Sequence, residues 1–176
     1  KVRYVTALGE TDTQAGWRAN KASGGVLIDV ETREIVCRGL SMPHSPRVYN
    51  GKVWILESGT GRLQNVDPNN GQRNTIAELP GFTRGLAFFG PYAFIGLSKV
   101  RESNMFGGLP ITTKGIDLQC GIWVVDLRTG KTAEFMQFQA GVEEIFAAEL
   151  LVGSRFPEIL GFQQDTINGA FVVPPR

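Results

Sequence analysis

Residues 45–58, Ser-Pro-Arg-Val-Tyr-Asn-Gly-Lys-Val-Trp-Ile-Leu-Glu-Ser, align without gaps on residues 85–98, Gly-Leu-Ala-Phe-Phe-Gly-Pro-Tyr-Ala-Phe-Ile-Gly-Leu-Ser, 40 residues later. Each copy is two apolar runs around a tight turn, and Asn50-Gly51 is a strong two-residue hairpin signal because both residues tolerate positive φ. A third copy, Ile-Phe-Ala-Ala-Glu-Leu-Leu-Val at 145–152, falls 60 residues further on, since about 20 extra residues between Val100 and Gln119 intervene.

A second hairpin follows each of the first two copies and also stands near the start of the chain. Its three versions are Gly25-Val-Leu-Ile-Asp29 leading to Cys37, Gly61-Arg-Leu-Gln-Asn-Val-Asp67 leading to Gln72, and Gly121-Ile-Trp-Val-Val-Asp126 leading to Lys131. The Asp can bond the turn backbone, and Gly71 and Gly130 supply the positive φ the turn needs. Two hairpins per repeat of about 40 residues make the four-stranded blade of a β-propeller. A sandwich would not show this recurrence, and a doubly wound fold needs helical periodicity that is missing. Trp54, Phe94 and Trp123 stand at repeated strand positions and read as packing between blades.

The expected fold is all-β: about three to four propeller blades of four antiparallel strands, within one partial domain spanning 1–176. The blade parts are expected near 1–40, 41–81, 82–141 and 142–176. Arg3-Tyr-Val-Thr-Ala-Leu-Gly9 reads as a second strand without a first, and no fourth strand is clear where the chain ends at Phe171-Val-Val-Pro-Pro-Arg176. Such an arc leaves edges open, so it is expected to be half of a six- to seven-bladed ring, closed by a missing N-terminal half, favoured by the absence of an initiator Met, or by a second copy.

Composition narrows the partners. With 42% apolar and 20% charged residues and a net charge of +1, nothing favours nucleic acid or an anionic membrane. No apolar run approaches the length of a membrane span, and nothing marks export, so a cytoplasmic protein is expected. Cys37 and Cys120 lack metal-type spacing and read as buried free thiols. No cofactor is expected.

Repeat position becomes ring position in a propeller. His44, Arg84 and Glu144 hold the same place in three successive repeats, just before the innermost strand, and are expected to converge at the axis. The second-to-third strand loops open on the same face and carry Glu57, Lys99 and Arg101. So do the two longest loops, one with Asp12, Trp17, Arg18 and Lys21 and the other with Phe106. Arg47, Arg84, Lys99 and Arg101 suit an anionic small molecule or peptide, because guanidinium groups bind carboxylates and phosphates in bidentate fashion. Glu143 stands beside Glu144. The expected activity is therefore binding of a ligand or partner at a charged mouth. The rivals are a metal-assisted hydrolase or isomerase of lactonase type, with His44 or Glu144 moving the proton, and a structural assembly module. No metal spacing links the acidic residues, and no nucleophile motif is present.

The strings Gly9-Glu-Thr-Asp-Thr, Gly16-Trp-Arg-Ala-Asn-Lys21, Met42-Pro-His-Ser-Pro-Arg47, Ser58-Gly-Thr-Gly61, Pro80-Gly-Phe-Thr-Arg-Gly85, Gly96-Leu-Ser-Lys99 and Val142-Glu-Glu-Ile-Phe146 occur together. As a set they resemble the C-terminal half of a bacterial "conserved hypothetical" family described as a domain of unknown function. The resemblance implies a longer parent with propeller-like sequence upstream, and no reaction. It draws attention to His44, Arg47, Arg84, Lys99, Glu143 and Glu144. Ala147-Ala148 follows Phe146 where the family pattern leads one to expect an acidic residue.

Overall fold

The computed structural model describes residues 1–99, 107–154, 157 and 168. They form eleven antiparallel strands in three sheets, in the orders β1-β2-β3, β4-β5-β6-β7 and β8-β9-β10-β11. The first sheet comprises β1 (Tyr4–Ala7), β2 (Gly25–Asp29) and β3 (Ile35–Leu40). The second comprises β4 (Pro43–Tyr49), β5 (Lys52–Glu57), β6 (Arg62–Val66) and β7 (Arg73–Glu78). The third comprises β8 (Phe82–Phe89), β9 (Tyr92–Ser98), β10 (Gly121–Asp126) and β11 (Lys131–Gln137). Helix within the described residues of 1–154 is confined to three short 3-10 turns, and no helix among the described residues is long and apolar enough to cross a membrane.

The predicted turn chemistry is present in detail. Asn50 and Gly51 both have positive φ and join Tyr49 to Lys52, as a type I′ turn requires. In the next repeat Gly90-Pro91 does the same with a positive φ at Gly90 alone, the type II′ solution. In the second hairpin, Asp29, Asp67 and Asp126 each accept the N–H two residues on, from Glu31, Asn69 and Arg128, all at 2.9 Å. The left-handed residue closing this turn is Gly71, Gly130 or, in the first sheet, Arg33 with φ 64°.

Two apolar layers separate the sheets. Strand β5 is apolar on successive residues because both its faces are covered. Val53 and Ile55 pack with Leu27, Cys37, Leu40 and Val66 between the first two sheets. Trp54 and Leu56 join Leu63, Leu86, Ile95, Leu97, Trp123 and Val125 between the second and third. Tyr49 stacks on Phe88 at 4.5 Å and donates from its hydroxyl to the Gly90 carbonyl, binding the same pair of sheets. Cys37 and Cys120 are buried free thiols.

The sheets are blade-like, with 3, 4 and 4 strands. The first lacks the strand equivalent to β4 and β8, so Tyr4–Ala7 is a second strand without a first, as the sequence reads. Of the expected fourth blade, 142–176, the part beyond residue 154 lies outside the described residues except at positions 157 and 168; residues 138–154 contain no strand, and 145–152, read as an innermost strand, form no ladder. A strand needs a hydrogen-bonded neighbour along its edge, and the backbone hydrogen bonds described for this segment are isolated ones. Lys99 N–H donates to the Glu143 carbonyl at 2.9 Å, and Ile145 N–H donates to the Ser98 hydroxyl at 2.8 Å.

Candidate functional site

Strands β4 and β8 are irregular at equivalent places. Each carries a bulge, after His44 in β4 and after Arg84 in β8, with a left-handed residue directly following: Ser45 (φ 53°) and Gly85 (φ 74°). A bulge re-aims side chains relative to the regular pleat. Met42, two residues before His44, is also left-handed at φ 47°.

His44 and Arg84 line one cavity of about 30 Å³, together with Met42, Phe82, Ser98, Lys99 and Glu144. That is room for one or two waters or a small polar group. Three strand ends build it. β4 brings Met42 and His44, β8 brings Phe82 and Arg84 at equivalent positions 40 residues on, and the end of β9 brings Ser98 and Lys99. Glu144 arrives on the extended segment, which Ser98 anchors by accepting from the Ile145 N–H and donating to the Ile145 carbonyl.

The electrostatics are asymmetric. Burial, reinforced by the Arg84 charge, lowers the His44 pKa to about 4, so the imidazole is neutral at pH 7. The Arg84 guanidinium lies 4.2 Å from the centroid of the Phe146 ring, a cation–π contact on an otherwise exposed aromatic. Among the described residues neither Arg84 nor Lys99 has a carboxylate ion pair.

Of the residues singled out from sequence, His44, Arg84, Lys99 and Glu144 meet in this cavity, with Glu143 adjoining through its carbonyl. The others lie elsewhere. Arg47 pairs with Glu149 at 3.1 Å on the exposed outer part of β4. Glu57 is buried, its carboxylate accepting from the Ser41 N–H and the Thr60 hydroxyl, each at 3.0 Å, with Arg73 at 3.5 Å. Trp17 packs against a cluster of Met42, Phe82, Leu109 and Ile111, with Arg18 5.9 Å from its ring centroid. This cluster gathers both long loops at the cavity end, since Met42 and Phe82 belong to both. Asp12 is exposed in the first loop. Arg101 and Phe106 lie outside the described residues. Among those described, no three His, Cys, Asp or Glu side chains cluster as metal ligands would.

Met42 and Phe82 line the cavity and Phe146 borders it, none of the three standing out as a site residue in the chain as written. The first two carried a signal, since they are repeat equivalents two residues ahead of His44 and Arg84.

The fold and cavity define an all-β chain of blade-like sheets with a small cationic cleft at one end. The sequence model of DUF4915, a domain of unknown function, matches residues 1–160, and the chain belongs to that family. No curated protein matches. Solved structures similar to it include the computationally designed Ika8 protein, at 16% identity and TM-score 0.41, covering 72% of this chain and 34% of that one. Another is the dihydro-heme d1 dehydrogenase NirN in complex with DHE, at 15% identity and TM-score 0.41, covering 69% of this chain and 25% of that one. The chain thus spans about a third or less of either structure.

Proposed function

We propose that the chain is an arc of a β-propeller whose axial cleft binds a small anionic ligand through Arg84 and Lys99. The observation that carries this reading is the pair of cations, unpaired among the described residues, facing a cavity with a neutral His44 and a single carboxylate, Glu144. Unpaired cations in a confined space are stabilised by an anion far more than cations in open water are. Backbone strain supports it, because Met42 and Ser45 hold left-handed conformations on either side of His44, and such strain concentrates at functional sites.

The propeller reading rests on the repeat together with complementary gaps. The first sheet lacks an innermost strand, while residues 143–149 run alone beside β8 and β9. The ring is completed by a second copy or by further sheets of the parent protein. Native mass spectrometry separates these: a homodimer of the short chain supports two halves closing one ring, and a monomer supports closure within the parent.

Binding is tested by titration calorimetry with acetate, sulfate and inorganic phosphate at pH 7. At least one anion should bind, and Arg84→Ala should weaken it tenfold or more while the circular dichroism spectrum stays that of a β protein. Unchanged affinity in that variant would overturn the proposal.

A further inference from the structure

Resting on that anion-site reading, we infer that the cleft selects a monocarboxylate carried on an apolar group, rather than phosphate or sulfate. Charge is the first argument. Arg84 and Lys99 contribute two positive charges and Glu144 one negative, so the lining is left with one uncompensated positive charge. A monoanion balances it, whereas a dianion would bring a second charge against Glu144.

Shape is the second. A cavity of about 30 Å³ admits a flat two-oxygen group more readily than a tetrahedral oxyanion, and the planar fork of Arg84 matches a carboxylate edge. Phe146 lies against the guanidinium at 4.2 Å and holds that fork in place.

The third is the apolar lining. Met42 and Phe82 form walls of the cavity, and Phe146, 66% exposed, extends an apolar surface from its rim. A bare anion uses none of this surface. A carboxylate with an alkyl or aryl substituent uses all of it, the head against Arg84 and Lys99 and the tail over Phe146. Such a group occurs on free organic acids and at the C-terminus of an apolar peptide.

The test is a calorimetric titration of the chain at pH 7 with hexanoate, acetate and inorganic phosphate. Hexanoate should bind at least tenfold more tightly than phosphate. Phe146→Ala, which removes both the apolar surface and the support of the Arg84 fork, should weaken hexanoate several-fold more than it weakens acetate, and Glu144→Gln should strengthen phosphate. Arg84→Lys keeps the charge and loses the fork, so it should cost hexanoate about tenfold even if Arg84→Ala fails to fold. A leucine-terminated hexapeptide with a free C-terminus, compared with its amide, identifies the source. Free-acid peptide binding as tight as hexanoate assigns a peptide terminus, and hexanoate binding alone assigns a small organic acid. Arg84-dependent binding of phosphate tighter than hexanoate would overturn the carboxylate inference and leave the anion site standing. Failure of every anion would overturn both.

Discussion

The hydroxyl of Ser45 accepts the backbone N–H of Gly85, its own repeat equivalent 40 residues later, at 3.0 Å. The bulge that re-aims His44 is thereby tied to the bulge that re-aims Arg84, so the two strands deliver their side chains to the cleft in register.

Ser45 pairs a useful hydroxyl with an unfavourable backbone. Ser45→Ala keeps the left-handed φ of 53° and leaves the Gly85 N–H without its acceptor, so it should destabilise by about 1–2 kcal/mol. Ser45→Gly loses the same bond and relieves the strain, and should be about 1 kcal/mol more stable than Ser45→Ala. Urea denaturation of the pair checks the order, and an alanine variant as stable as the glycine one would contradict it.

Gly85 admits no side chain. With φ 74°, a Cβ would lie 2.4 Å from the Ala148 nitrogen and 2.6 Å from the Ala147 carbonyl carbon, both backbone atoms. Gly85→Ala should cost about 2–3 kcal/mol and displace the segment bearing Glu144. Thermal unfolding reads the first effect and increased proteolytic cleavage between Glu143 and Leu151 the second.

Arg33 fills the left-handed position that Gly71 and Gly130 fill in the other two hairpins, at φ 64° against 71° for both glycines. Arg33→Gly should therefore stabilise by about 0.5–1 kcal/mol, relief of strain outweighing the added entropy of the unfolded chain. A rise in the urea midpoint with unchanged slope is the expected signature.

His44 sets an acid-side slope. Burial first, and the Arg84 charge second, lower its pKa from 6.5 to about 4, with Lys99 and Glu144 completing its charged surroundings. The unfolded chain binds the proton more readily than the folded one, so stability is full above pH 6.5 and falls as the pH drops toward 4. The loss is on the order of 3 kcal/mol, and below pH 4 this group adds no more. His44→Gln should flatten the stability profile between pH 6.5 and 4. A variant with the parental slope would place the titrating group elsewhere.

Glu57 was attractive from its place before a loop, yet its carboxylate serves the fold. Glu57→Ala leaves the Ser41 N–H without its acceptor and Arg73 with the Gly39 carbonyl alone, and should cost about 2 kcal/mol, discounted because Arg73 is one-third exposed. Affinity for hexanoate should be unchanged in the same variant, which separates a structural carboxylate from a ligand-binding one.

The local elements and their recurrence are legible in the chain as written. Asn50-Gly51, and Asp67 with Gly71, specify turns through contacts a few residues apart. Because repeats stack with a common geometry, the alignment of His44 with Arg84 and Glu144 already placed them in one cavity. What depends on distant partners is settled by the folded chain. Residues 145–152 have strand composition and form no strand, and none of the described strands pairs with them. Glu57 is held by Ser41, from the connection between β3 and β4, and by Arg73, from β7. Phe146 meets Arg84 across 62 positions, and the His44 pKa falls to about 4 because its neighbours in space remove water from it. Turn chemistry is written locally, whereas burial and charge environment are sums over neighbours that the folded chain alone brings together.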